Sequence, residues 1–201
     1  MRGRKGNIVF WGGLICLCYL TCSCQKKKKE SNTGYYNIDS LITAQIHDLS
    51  SRKVSLSKTA FLNGKTDSIY KTSMDTILWS KELDIFKQHD AINKPISSHS
   101  YTVQNLPDSK SNLIARSIIT NRKLPVEYLK IYYDGSINNL KKIEALYHEE
   151  NLLYGSSQKL LMEFENIYNK ITLINYSIHG KQKVLLGDSV NFFLNGRVIV
   201  N

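Results

Sequence analysis

From about Ser98 onward the chain alternates apolar and polar residues with a period of two, and this narrows what it can fold into more than any other feature. Leu129, Ile131 and Tyr133 alternate with Lys130 and Tyr132. Ile143, Ala145 and Tyr147 alternate with Lys142, Glu144 and His148. Ile174, Tyr176 and Ile178 alternate with Asn175, Ser177 and His179. Successive side chains of a strand point to opposite faces, so each of these segments is apolar on one side and wet on the other, the habit of antiparallel sheets. Strands are expected over Ser100–Val103, Asn112–Thr120, Val126–Tyr133, Leu140–His148, Leu153–Phe164, Thr172–His179, Lys183–Leu186 and Val190–Val200. The connections are too short for crossover helices, which argues for a meander rather than βαβ units. Asp134-Gly135 marks a tight turn, and Gly155-Ser156-Ser157 is expected to be a bulge or turn.

The earlier part of the chain has a different period. Ile38, Leu41, Ile42, Ile46 and Leu49 recur at helical spacing, with Asn37 or Asp39 as cap, and His47 falls on the polar side. Ile77, Leu78, Trp79, Leu83 and Phe86 form a second apolar stripe over Asp75–Gln88, capped by Ser73 or Asp75. Between the two helices, Lys53–Lys71 reads as a hairpin. Val54, Leu56, Ala60 and Leu62 mark its first strand, and Asn63-Gly64 supplies a type I′ turn because both residues tolerate positive φ. The return strand is polar, as an edge strand is. The expected fold class is therefore α+β: a curved antiparallel sheet, a meander of about seven to nine strands, with two N-terminal helices packed on one face.

The first residues are of another kind. Arg2, Arg4 and Lys5 precede an apolar run from Ile8 to Leu20, which is interrupted by Gly12, Gly13 and Tyr19. As a helix this run covers about 20 Å, short of a hydrocarbon core of roughly 30 Å, and its length is that of an export signal. Leu20-Thr21-Cys22-Ser23-Cys24 then resembles a bacterial lipobox, in which a small residue precedes the modified cysteine. The resemblance implies cleavage before Cys24 and acyl chains on it. Cys22, preceded by Thr21, is the competing site, and Thr21 and Cys22 stand where Leu and Ala are commoner. Several acyl chains hold a protein at a bilayer far more firmly than one. The expected organisation is a lipoprotein signal peptide over 1–23, a lipidated lysine-rich tether over 24–36 and a single α+β domain over 37–201.

Loose lipoboxes of this kind are similar to those of Bacteroidota lipoproteins. Trp79-Ser80-Lys81-Glu82-Leu83, Lys94-Pro95, Ser100-Tyr101 and Lys141-Lys142-Ile143-Glu144-Ala145 also resemble a group of uncharacterised lipoproteins from that phylum. The resemblance implies location rather than activity. Gln25 after the cysteine, where Asp favours inner-membrane retention, implies the outer membrane. Lysines in place of acidic residues there imply a periplasm-facing position.

The four cysteines, Cys16, Cys18, Cys22 and Cys24, all lie in the export segment. The domain therefore has no thiol for a disulfide, a metal or a nucleophile. The net charge of +10 suggests nucleic acid until it is located: the signal and the tether around Lys26–Lys29 contribute +6 of it. The remaining excess is dispersed and no RNP-like aromatic motif accompanies it, so no nucleic-acid partner is expected. The lysine run is suited to anionic head groups or to a plain solubilising spacer.

No motif for catalysis, cofactor or metal emerges, and no catalytic, cofactor-binding or metal-ligating residue is expected. His148-Glu149-Glu150 is the nearest approach to a ligand cluster, with His148 and Glu150 on one face of a strand. His89-Asp90 reads as a cation at a helix C-terminus. Glu163 and Glu165 share the wet face of a strand and are the carboxylates a hydrolase of envelope polymers would use. Tyr128, Tyr132, Tyr147, Tyr154, Tyr168 and Tyr176 suit ordinary sheet packing, or alternatively a concave aromatic face. The expected protein is a non-enzymatic binding or accessory module of the envelope. Its partners are the lipid bilayer, through acyl chains on Cys24, and an envelope protein or apolar ligand on the sheet face. The hydrolase and a structural subunit of an envelope complex are the alternatives.

Overall fold

Asn37 and Asp75 start the two helices by the same device, an acceptor side chain on an otherwise orphaned helical N–H. Asn37 Oδ1 accepts from Ser40 N at 2.7 Å and Asp75 Oδ1 from Leu78 N at 2.8 Å. The computed structural model describes residues 34–200 apart from Leu186. The expected signal peptide, Cys24 and most of the tether lie outside the described residues.

The order is α1 (Ile38–Ser51), β1 (Ser55–Leu62), β2 (Lys65–Lys71), α2 (Thr76–Lys87), two short 3₁₀ turns (Gln88–Asn93 and Pro95–Ser97), then β3 (Thr102–Pro107), β4 (Ile114–Ile119), β5 (Val126–Tyr133), β6 (Leu140–Glu150), β7 (Tyr154–Ile167), β8 (Lys170–Val184) and β9 (Val190–Ile199). The strands form one open antiparallel sheet of nine in the order β2-β1-β9-β8-β7-β6-β5-β4-β3. The meander is as expected for α+β. The early hairpin joins it by pairing β1 with β9, from Ser55↔Ile199 to Leu62↔Phe192. β2 and β3 are the two exposed edges, and Asn63 (φ 49°) and Gly64 (φ 79°) make the turn into β2. No helix among the described residues is long and apolar enough to cross a membrane.

Three local expectations change. Thr172–His179 and Lys183–Leu186 are not separate strands: β8 runs unbroken from Lys170 to Val184. Gly180, which looks like a break, is needed because the Phe192 ring lies where its Cβ would be. Gly196 is covered by Tyr176 in the same way, a ring filling the place of a missing side chain. Gly155-Ser156-Ser157 is regular strand, paired with both β6 and β8. The alternation through Ile174 is also interrupted. Glu163 pairs with Asn175 but Phe164 pairs with Leu173, so Ile174 is an extra, bulged residue. Leu173, Tyr176 and Ile178 are consequently the buried apolar residues of β8.

The core gathers Leu129, Ile131, Ile143, Leu160, Met162, Phe164, Tyr176 and Ile178 from the sheet with Ile42, Leu49, Trp79, Leu83 and Phe86 from the helices. Gln45 of α1 donates to Ile171 O at 2.9 Å and accepts from Leu173 N at 2.7 Å, tying the helix to β8 beside the bulge. Glu82 of α2 accepts from Tyr176 Oη and from Lys58 Nζ, both at 2.6 Å. Burial and the Glu82 carboxylate together push the Tyr176 phenol far above its usual range.

Candidate functional site

Strand ends in a meander gather their connecting loops at two ends of the sheet. At one end β4 leaves through Thr120–Pro125 into β5, β6 turns into β7 at Asn151–Leu153, and β8 leaves toward β9. Asn151 closes its turn with its side chain, which accepts from Leu153 N and Tyr154 N, both at 2.9 Å. Between these loops lies a solvent-open groove of about 960 Å³.

Its lining carries both signs of charge: Arg122, Lys123, Lys181 and Lys183 against Glu127, Glu149 and Glu150. His148 stands among them, its Nε2 at 2.9 Å from Glu127 Oε2. The backbone places the pair: His148 N donates to Pro125 O at 2.7 Å, and the β5–β6 register slips between Val126 and Tyr128, beside Glu127. Both side chains are about half exposed, at 41% and 52%. Across the ladder His148 faces Ser157, which faces Lys181; Glu150 faces Gly155, which faces Lys183. The expected sharing of a face by His148 and Glu150 is met, and Glu149 pairs with Ser156 on the other parity. Among the described residues no group of three His, Cys, Asp or Glu side chains is set to hold a metal. A carboxylate on an imidazole orients the ring. With cations around it, the arrangement can hold an anionic or zwitterionic group.

The other singled-out residues lie elsewhere. Glu163 accepts from Asn175 Nδ2 at 2.9 Å, and Glu165 is exposed near the opposite end of β7. The tyrosines do not form one aromatic face. Tyr132 is paired through Lys142 with Glu163, whereas Tyr176 pairs with Met162, so the two fall on opposite faces. Tyr168 is 81% exposed in a turn. His89 is not a cation at a helix end. It is buried, its Nδ1 is 3.1 Å from Phe86 O, and its Nε2 has no partner among the described residues. Burial pulls its pKa from 6.5 down to about 4, so it is neutral at pH 7.

The wet face carries a second polar cluster. Tyr128 Oη donates to Glu144 Oε1 at 3.0 Å and Lys159 Nζ lies 3.2 Å from the same oxygen. Burial raises the Glu144 pKa, but the bonds from Lys159 and Tyr128 outweigh it and the net shift is downward. This is an ion pair of a sheet surface. Glu127, Arg122 and Lys123 escaped sequence reading because nothing local marks them; only the register of three strands brings them to His148. No family model, no curated protein and no solved structure matches the chain.

Proposed function

We propose that the protein is an exported lipoprotein, acylated at Cys24 and held at the outer membrane facing the periplasm. Its domain serves there as a non-enzymatic binding module of the cell envelope, of the kind the Bacteroidota resemblance implies. The observation that carries the binding role is the groove, a concavity lined by charges of both signs and open to water. Open, half-exposed charges suit reversible contact with a polar partner better than chemistry, which gains most from donors held in a water-excluded site.

Both helices cover one face of a curved sheet in this reading. Glu82 and Phe86 of α2, with Gln88 and His89 of the turn after it, meet Lys58, Tyr176, Gln158 and Tyr147, to which the strand register gives the same parity, and α1 joins the same core through Ile42 and Leu49. The opposite face is left for an envelope protein or an apolar ligand. The rival is a hydrolase of envelope polymers. Its best support is not Glu163 and Glu165 but Ser157, seated across the ladder from a histidine that already holds a carboxylate. With Nε2 of His148 on Glu127, a nucleophilic Ser157 would depend on Nδ1.

Metabolic labelling with palmitate tests the anchor. Label enters the wild type and the Cys22→Ala chain and is lost in Cys24→Ala; label retained by Cys24→Ala overturns the assignment. Incubation with purified envelope polymers separates the two classes. Soluble fragments released by the wild type and not by His148→Ala would establish the hydrolase in place of the binding module.

A further inference from the structure

The groove shares its end of the sheet with an apolar tip. Leu152 (92% exposed) and Leu153 occupy the β6–β7 turn. Val184 pairs with Tyr154, and Leu185 N donates to Leu153 O at 2.9 Å, which brings the exposed Val184 and Leu185 beside the turn. Four neighbouring apolar side chains, flanked by Lys181 and Lys183, stand exposed beside the charged lining of the groove. Such a grouping in water calls for an apolar partner.

The chain enters the domain at this same end. Tyr35 N donates to Asn93 Oδ1 at 2.9 Å, and Tyr35 Oη accepts from Tyr101 N at 3.4 Å. Tyr101 Oη donates to Val126 O at 2.6 Å, at the start of β5 and beside the groove. From Cys24 to Gly34 is ten residues, which reach at most about 35 Å fully extended. β8, with 15 residues, is about 50 Å long. The ladder sets Val126 level with Gly180, about 33 Å from Lys170, so a domain standing on its far end would need the tether almost fully extended, whereas one standing on the groove end leaves it slack.

We infer that this end of the sheet is a bilayer-docking surface: Leu152, Leu153, Val184 and Leu185 enter the interface, while Arg122, Lys123, Lys181 and Lys183 take anionic phospholipid head groups. The inference rests on the anchor at Cys24 and deepens the binding role of the groove by naming its partner chemistry. Glu127, Glu149 and Glu150 keep the groove from being a plain cationic patch. They set the docking depth, because carboxylates stay in water while the apolar tip beyond them enters. Lys26–Lys29 follow Cys24 directly in sequence, and lysines held close to an anionic surface add to the attraction.

The full chain, lipidated in cells and reconstituted into vesicles of phosphatidylethanolamine and phosphatidylglycerol, supplies the test. Flotation with the vesicles, compared between wild type and Cys24→Ala, reports the anchor. Docking is read separately by tryptophan quenching with brominated phosphatidylglycerol, in Leu152→Trp and, at the opposite end, Tyr168→Trp. Trp11 leaves with the signal peptide when the chain is acylated at Cys24, and the buried Trp79 gives the same background in both. Quenching at 152 is expected to exceed that at 168 at least threefold, and to fall to the level at 168 when Lys181→Glu and Lys183→Glu are added. Equal quenching at the two positions in chains that float overturns the docking and leaves the anchor standing. Flotation at high salt of a Cys24→Ala chain without residues 1–23, equal to that of the wild type, overturns the anchor, and with it the docking geometry argued from tether reach.

Discussion

The interior beneath α2 and the groove at the sheet end are built from the same chemistry in opposite surroundings. Each holds a histidine, a glutamate and a lysine. Beneath α2, Glu82 accepts from Lys58 and Tyr176 with little exposure, and His89 is packed neutral against Tyr147. In the groove Glu127 and His148 are paired at 2.9 Å with water on both. The distances alone do not separate the two regions; access of water does. A buried charge without its partner cannot be resolvated, whereas an exposed one returns to solvent at little loss. The interior groups thus serve stability, and the groove groups are free to serve a partner.

The largest effect that would break this contrast is at Glu82. Glu82→Ala leaves Lys58 Nζ and Tyr176 Oη without their shared acceptor, and a cost of about 3 kcal/mol is expected. Urea unfolding followed by circular dichroism measures it. A loss below about 0.5 kcal/mol, the level of an exposed pair, would show that the interior is no drier than the groove.

His89 makes the same point through pH. Its folded pKa is about 4 against 6.5 for an ordinary histidine. Between these values the unfolded chain binds a proton that the folded chain refuses, so stability falls as the pH drops. The contribution is complete above about pH 6.5, is lost progressively down to about pH 4, and changes no further below that. Over the whole window the loss is on the order of 3 kcal/mol. His89→Gln removes the titration, so the drop in unfolding free energy between pH 7.5 and 4.5 should be smaller in the variant than in the wild type. Equal drops would mean that His89 takes up its proton in place.

These two regions were not equally legible in the sequence. Trp79, Leu83 and Phe86 announce the interior by their helical spacing, and the strands of the meander announce themselves by alternation, because burial on one face imposes a period on local residues. The Asn63-Gly64 turn was equally plain. The turn at Tyr168 (φ 53°) and Asn169 (φ 59°) was not, since a tyrosine rarely takes a left-handed conformation and its own β-propensity hides the turn. The continuity of β8 through Gly180 is hidden for a related reason. The partner of Gly180, Phe192, lies 12 positions away, and only the pairing of β8 with β9 reveals that the glycine makes room for a ring. The groove was the least legible of all. His148 and Glu150 share a face by simple parity, but Glu127, Arg122 and Lys181 reach them through two strand registers and a slip, none of which has a local signature.

The smallest expected effect sharpens the comparison from the groove side. Glu127→Gln removes the charge facing His148 and keeps the shape of the side chain. Both partners are about half exposed, so solvent screens the pair and replaces each lost bond. The change in unfolding free energy should be at most about 0.5 kcal/mol. If the groove is a binding surface, the same substitution acts on association instead: with one carboxylate fewer among Arg122, Lys123, Lys181 and Lys183, binding to anionic vesicles tightens and its salt dependence steepens. Vesicle sedimentation at two salt concentrations, set beside the unfolding curve, reads both quantities on one variant. A large loss of stability with unchanged binding would make Glu127 a structural residue like Glu82 and remove the distinction between the two regions. Unchanged stability with tighter, more salt-sensitive binding would leave the groove as the part of the domain that is free to act, because its charges are not needed to hold the fold.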